Sequence, residues 1–348
     1  MNDASDRLLR LRGREWQSFG RRKRAQFVES AFNYWRHAGF PHYELKQQEI
    51  GREYQNLANQ PIPVIRKAGI AGSTIGLRLA NYFQPHMWSV RVSRYLSPHD
   101  VFQDDTMLRS AIHRSWTIWP DRFGANPATL RRMLKTYPGA ASVSNFRPTV
   151  ARSVLHHFSK DSDTILDFSA GYGGRLLGAL SMKRHYVGIE PCTSQVMGLR
   201  SMLTNMTEYG ARGSAEIIAG CAEDVMHLFP RSMANLVFSS PPYFNWEKYS
   251  SEESQSFIKF GTYEEWKNGF LEPVILQSMR VLKKGGKFAV NISGGKRKPT
   301  ADDVREISLA VGFRYIRSIP LLITRVPYLH PRNDAPHKHE AILIFEKA

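Results

Sequence analysis

Up to about residue 140 the apolar positions recur at helical spacing; beyond it, short apolar runs are separated by helix-length segments. Over residues 14–38, Phe27, Ala31, Tyr34 and Trp35 fall on one helical face. That spacing predicts a helix that stops at Gly39, ahead of Phe40-Pro41. A second helix is predicted over about 100–119, after Ser97-Pro98-His99, and a third over about 127–137. Trp88, Trp116 and Trp119 read as packing residues. Residues 56–85 mix Gly and Pro and read as irregular, and Pro138-Gly139 marks a linker. No internal repeat or low-complexity tract interrupts the chain.

Beyond the linker, four apolar runs end in polar residues. Ile165-Leu166 leads to Asp167, and Tyr186-Val187-Gly188-Ile189 leads to Glu190. Glu216-Ile217-Ile218-Ala219-Gly220 leads to Cys221-Ala222-Glu223-Asp224. Ala234-Asn235-Leu236-Val237-Phe238 leads to Ser239-Ser240-Pro241-Pro242-Tyr243-Phe244. Strands alternating with helices predict an α/β fold with a mostly parallel sheet. Ligands of such sheets bind at the carboxyl ends of the strands, so the four tips should share one edge. Each acid alone reads as a solvated loop residue or a helix cap. Four in register read as a candidate site.

Two of the tips carry specific chemistry. Asp167-Phe168-Ser169-Ala170-Gly171-Tyr172-Gly173 makes a tight turn whose glycines let a ligand approach the backbone. The run does not fit the Gly-x-Gly-x-x-Gly dinucleotide pattern. Asp167 would repel a pyrophosphate and suits an ammonium group, while Glu190 suits ribose hydroxyls. In Ser240-Pro241-Pro242-Tyr243 both prolines hold φ near −65° and lack an N–H. The residue before them is pushed towards extended geometry. The result is a stiff corner of acceptors beside an aromatic face, suited to the amine of a flat ring.

From about residue 146 to 348 the chain resembles the S-adenosylmethionine-dependent amino-methyltransferases, which methylate exocyclic amines of adenine or cytosine. The glycine loop and the Ser-Pro-Pro-Tyr tetrapeptide, about 70 residues apart, carry the resemblance. Val281-Leu282-Lys283-Lys284-Gly285-Gly286-Lys287-Phe288 and His339-Glu340-Ala341-Ile342-Leu343-Ile344-Phe345 fit its later strands. The resemblance implies a Rossmann-like class I methyltransferase fold with a mostly parallel seven-stranded sheet. It implies S-adenosylmethionine as cofactor and no metal. Its cofactor residues would be Phe146, Arg147 and Pro148, then Asp167, Phe168, Ser169, Ala170, Gly171 and Gly173. Glu190, Pro191, Ala222 and Glu223 would complete that set. Ser240, Pro241, Pro242 and Tyr243 would be catalytic. Phe244, Trp246, Lys248 and Tyr249, in the loop over residues 245–263, are substrate candidates. Serine at the first tetrapeptide position is commoner among cytosine-N4 enzymes, which favours that base over adenine-N6.

Charge adds a partner. The 348 residues carry a formal net charge of +17. Residues 1–150 hold 23 Lys/Arg against 11 Asp/Glu, and the remainder 25 against 20. Such an excess points to phosphate binding, although Arg21-Arg22-Lys23-Arg24 alone reads equally well as a solvated face. The expected division is a basic, mainly helical region over 1–140, available for nucleic-acid recognition, and a methyltransferase domain over 141–348. DNA is favoured over RNA, in the manner of a restriction-modification methylase. Recognition would come from residues 1–145, the 245–263 loop, or a separate recognition or restriction subunit. Gly294-Gly295-Lys296-Arg297-Lys298 is a second basic loop. An RNA methyltransferase, an enzyme for an unusual phage base and an inactive binding subunit stay open. No run of about 18 apolar residues and no secretory leader is present, so a cytoplasmic protein is expected. Two cysteines, Cys192 and Cys221, do not make a disulfide framework.

Overall fold

The computed structural model describes residues 10–118, 124–293, 299–322 and 340–348. The chain forms two compact units, one of residues 1–44 with 85–144 and one of residues 45–84 with 145–348.

The larger unit is built on one sheet. Its elements are α1 (Gln47–Asn59), β1 (Ile70–Ala71), α2 (Leu77–Tyr82), α3 (Pro148–Phe158), β2 (Thr164–Asp167), α4 (Gly174–Leu180), β3 (His185–Glu190), α5 (Thr193–Glu208), β4 (Ser214–Ala219), α6 (Ala222–Val225), β5 (Ala234–Ser239), α7 (Glu272–Val281), β6 (Leu282–Ser293), α8 (Ala301–Ala310), β7 (Phe313–Leu322) and β8 (Glu340–Lys347). The strand order is β1-β7-β8-β6-β5-β2-β3-β4. Among the described residues of this sheet only β8 is antiparallel, to β6 and β7. The mostly parallel α/β sheet expected from the sequence is present, with eight strands in place of seven.

The extra strand is two residues long and pairs with the edge of β7. Residues 56–85, read as irregular from their mixture of Gly and Pro, hold this strand; so short an apolar patch leaves no periodicity to reveal it. Gly69 precedes it at φ 121°, where a Cβ would lie 2.2 Å from the Pro320 carbonyl oxygen. Only glycine lets the chain approach the sheet edge so closely.

Residues 45–84 belong to the sheet unit because buried bonds fasten them there. Tyr54 donates its hydroxyl to the Leu180 carbonyl at 2.7 Å. Arg152 on α3 donates to the carbonyls of Leu57, Ala58 and Gln60 at the end of α1. The linear boundary near residue 140 therefore differs from the packed one. Recounted on the packed units, the 104-residue unit holds 17 Lys/Arg against 9 Asp/Glu, and the 244-residue unit 31 against 22. Net positive charge per residue is about twice as high in the smaller unit, +8 over 104 residues against +9 over 244.

Both sheet faces are covered, as parallel strands require. Leu236, Phe238, Ala289 and Ile342 pack on the face covered by α1, α3, α4 and α5. Leu166, Val237, Phe288 and Val290 pack on the opposite face with α7 and α8.

The smaller unit is helical, with Trp16, Trp35, Trp116 and Leu130 in its core. The helix predicted over 14–38 is two, Gly13–Gln17 and Arg21–Ala38. The break at residues 18–20 lets the Phe19 ring fold back on Phe27, with centroids 5.2 Å apart. The helix predicted over 100–119 is also two, because the Asp104 carboxylate accepts from the Met107 N–H at 2.8 Å and caps a new start. Pro127–Lys135 forms as expected after its Asn126 cap. Trp88 and Trp116 are buried. Trp119, His339 and the basic loop over 294–298 lie outside the described residues. Among the described residues no helix is long and apolar enough to cross a membrane.

Candidate active site

The chain runs outward through β2, β3 and β4, then crosses back to lay β5 against β2. That reversal is the switch point where open α/β sheets leave a crevice at the strand ends. Asp167 ends β2 and Ser239 ends β5.

Asp167 is fully buried. One of its oxygens meets the Arg175 Nε at 2.6 Å and the Tyr186 hydroxyl at 2.7 Å. The other accepts from Arg175 Nη2 at 3.2 Å, the Ser239 hydroxyl at 2.6 Å and the Ser169 N–H at 3.2 Å. Five donor contacts from the protein engage the carboxylate. Arg175, itself buried, also donates to the Ser169 carbonyl and, through Nη1, to Ser240 Oγ at 3.0 Å. The pair is a brace under the glycine loop and the proline corner. Burial pushes the Tyr186 hydroxyl well above its ordinary range, with the Asp167 charge adding to it, so it stays a donor.

The glycines of the loop do different things. Gly173 has φ 83°, and a Cβ there would lie 2.7 Å from Met202 Cε. At Gly174 a Cβ would lie 1.9 Å from the Phe146 carbonyl oxygen. Gly174 is required by packing against backbone, and Gly173 by its left-handed φ. Gly171 has φ 58°, and a Cβ there would meet only the Ser169 carbonyl oxygen, at 3.7 Å. It is the open position where a ligand can reach the backbone.

Glu190 holds the other side of this opening. It accepts from the Gly171 N–H at 2.8 Å and the Cys192 N–H at 3.0 Å. The Gln195 amide, with its nitrogen towards the carboxylate, donates at 2.6 and 3.0 Å. Burial raises Glu190 to about 7, against the lowering effect of the two backbone donors.

The remaining cofactor candidates divide. Asn145 clamps the glycine loop, accepting from the Gly174 N–H at 3.1 Å and donating to the Tyr172 carbonyl at 2.9 Å. Phe146 lies edge-on to Phe238 at 5.6 Å, and the Arg175 guanidinium is 5.6 Å from its ring. Arg147 reaches the Gly72 carbonyl at 2.6 Å, and Pro148 starts α3. Phe168, Ala170 and Ala222 are core residues. The Pro191 carbonyl accepts from Ser254 at 3.2 Å, and Glu223 meets Lys259 at 3.1 Å.

At the corner Pro241 is buried, while Ser240, Pro242 and Tyr243 are half-buried. Phe244 has φ 39°, and its ring packs 5.8 Å from Tyr263 and 6.1 Å from Trp266. These apolar neighbours make the ring an anchor of the turn. The Trp246 N–H donates to the Tyr243 carbonyl at 2.8 Å. Tyr249 stands edge-on to Tyr172 at 6.1 Å and bonds Glu247, and Lys248 is exposed.

The loop then follows the tips of β3 and β4. Glu252 accepts from the Thr193 N–H and hydroxyl, each at 3.1 Å, and so caps α5. Lys259 reaches Asp224 at 2.6 Å. Cys221, Glu223 and Asp224 place ligand atoms within 4.8 Å of one another, and the Lys259 ammonium already sits against the two carboxylates. Arg175, Ser239, Tyr186, Gln195 and Glu252 were missed as site residues. Only Arg175 carried a signal, a charge in the first turn of an otherwise apolar helix.

Residues 234–348 match the family model described as DNA methylase. This stretch of the chain is similar to the DNA methylase family. The match spans β5, the proline corner and the sheet through β8, and it bears out the resemblance to amino-methyltransferases. No curated protein matches the chain. Among solved structures, the [4+2]-cyclase SpnF is 15% identical over 57% of this chain and 80% of its own, with a TM-score of 0.40. A TehB-like SAM-dependent methyltransferase from Corynebacterium glutamicum is 12% identical over 64% and 96%, with a TM-score of 0.37. Precorrin-6y C5,15-methyltransferase from Geobacter metallireducens is 16% identical over 57% and 88%, with a TM-score of 0.39. Likeness of this size assigns the methylase segment neither reaction nor ligand.

Proposed function

We propose that the protein transfers a methyl group from S-adenosylmethionine to the exocyclic amine of a nucleobase in DNA, cytosine-N4 in preference to adenine-N6. The observation that carries this reading is the Ser240-Pro241-Pro242-Tyr243 corner, inside the DNA methylase match and tied through Arg175 to the glycine loop. The residues present fit the cofactor: Gly171 leaves its backbone open, and Glu190 offers a carboxylate beside it. Bound S-adenosylmethionine would supply an electrophilic methyl group at a sulfonium. Gly171 and Glu190 would hold it, Glu190 by accepting from ribose hydroxyls.

A nucleobase amine is a poor nucleophile because its lone pair is delocalised into the ring. Arg175 occupies one lone pair of Ser240 Oγ and leaves the other for an amine hydrogen. The Pro241 carbonyl would take the second hydrogen. Both acceptors stabilise the positive charge that grows on nitrogen, and the brace beneath them keeps them preorganised. Tyr243 would stack on the base and set its angle to the methyl group. A base in a duplex must be flipped out to reach this corner, which costs about a few kcal/mol. The dense positive charge of the helical unit suits phosphate contact, with recognition supplied there, by the 245–263 loop or by a separate subunit.

The test is incubation with isotope-labelled S-adenosylmethionine and mixed-sequence duplex DNA, single-stranded DNA or RNA, followed by nucleoside mass spectrometry. N4-methylcytosine from DNA is the expected product. N6-methyladenine would overturn the choice of base, label only in RNA the choice of polymer, and no label anywhere the activity.

A further inference from the structure

Asn291 is the third residue from the end of β6, the strand beside β5 on the side away from the glycine loop. In the register of the two strands Phe238 stands opposite Ala289 and Ser239 opposite Val290. One step further brings position 291 alongside Ser240. Side chains alternate along a strand, so Asn291 shares the face of Ala289 and Phe238. Its partner on the other side, in β8, is the apolar Ile342. Neighbouring strands lie about 4.8 Å apart, so continuing this register by one residue would bring the Asn291 amide to the Ser240 side of the crevice edge.

Asn291 is 5% exposed, and its Oδ1 has no hydrogen-bond partner among the described residues. A buried acceptor without a donor is destabilising, and an isosteric leucine among these apolar neighbours would remove the penalty. The fold has no visible use for the amide. The proposed reaction does. The amine side of cytosine or adenine brings donors to this edge, and nitrogen becomes more cationic as it is methylated.

We propose that Asn291 is a further catalytic residue: its Oδ1 accepts an amine hydrogen of the target base, shared with Ser240 in a three-centre bond. Such bonds are common in proteins. Arg175 already draws on Ser240 Oγ, so a second acceptor on that side strengthens the hold on the amine. Thymine, uracil and guanine place a carbonyl oxygen where the amine would be, and would set oxygen against oxygen at both acceptors. The inference rests on the methyl-transfer reading proposed above.

The experiment compares wild type, Asn291→Leu and Asn291→Asp in transfer from labelled S-adenosylmethionine to mixed-sequence single-stranded DNA. Cofactor affinity and thermal unfolding are measured on the same samples. The expected result is that Asn291→Leu lowers kcat about 10–100-fold with cofactor affinity and unfolding temperature at or above wild type. Asn291→Asp, which keeps an acceptor, should recover about tenfold over the leucine variant. A merely structural asparagine would not be rescued in this way. Leucine turnover within twofold of wild type, equal loss in both variants, or parallel loss of cofactor affinity overturns the role of Asn291 and leaves the methyl-transfer reading standing. Absence of transfer by wild type overturns both.

Discussion

Arg175 meets Asp167 at 2.6 Å, and Lys259 meets Asp224 at the same 2.6 Å. The side chains of the first pair are 7% and 0% exposed, those of the second 32% and 58%. The first lies beneath the proline corner, with Tyr186, Ser239 and Ser169 completing the carboxylate's bonds. The second pins a loop beside the strand tips, where water competes for both charges. Distance alone would rank them equal. Breaking a buried pair leaves an uncompensated charge and costs about 3–5 kcal/mol, whereas an exposed pair contributes about 0–1 kcal/mol. The site thus has a floor that cannot yield and a loop that can.

The strongest test of that difference is Asp167→Ala, which strands the Arg175 charge. Urea unfolding should show a loss of about 3–5 kcal/mol. Replacing both partners with apolar residues, Asp167→Leu with Arg175→Met, should restore much of the stability but not methyl transfer. A single-variant loss below about 1 kcal/mol would put the floor in the same class as the loop.

Glu190 sharpens the comparison through pH. Its folded value is about 7 against an ordinary 4.5. The folded state therefore holds a proton that the unfolded chain releases between those values. The stabilisation is complete below pH 4.5 and is lost as pH rises through 7, by about 3 kcal/mol over the window. Glu190→Gln should flatten that part of the stability profile. Cofactor affinity should run the other way, weakening up to about tenfold per unit below pH 7 as the carboxylate protonates. Titration calorimetry at pH 5.5, 6.5 and 7.5 reads it, and a flat wild-type profile would remove Glu190 from the ribose side.

Tyr243 stands between floor and loop. Base stacking contributes about 1–3 kcal/mol, so Tyr243→Ala should lower transfer about 5–150-fold with cofactor binding retained. Near-normal turnover would refute the stacking role. The smallest effect belongs to Asp224→Ala, which leaves Lys259 its Glu223 partner and should lower stability by less than about 1 kcal/mol and by still less in high salt. A loss above about 2 kcal/mol, insensitive to salt, would erase the distinction between loop and floor.

The sequence made the strand tips legible because each is a local event: an apolar run, then an acid, a glycine turn or a proline corner. The left-handed φ of Gly171 and Gly173 was foreseeable from residue type alone. Two-residue β1 was not, since Ile70-Ala71 becomes a strand only by borrowing bonds from β7. The breaks at residues 18–20 and at Asp104 hid inside patterns whose apolar spacing continued across them.

By itself the sequence determined the sheet class, the edge on which the site lies and the residue types at that edge, because those follow from short-range periodicity and turn chemistry. The tertiary structure alone decided what Asp167 faces. Its partners lie 2, 8, 19 and 72 positions away, and only the folding of β2 against β5 and β3 brings them to one carboxylate. It also decided that residues 45–84 join the sheet unit and that Ser239 stands opposite Val290, the neighbour of Asn291. A hydrogen bond is specific in three dimensions and leaves no period along the chain, so these pairings became visible only once the strands were in register.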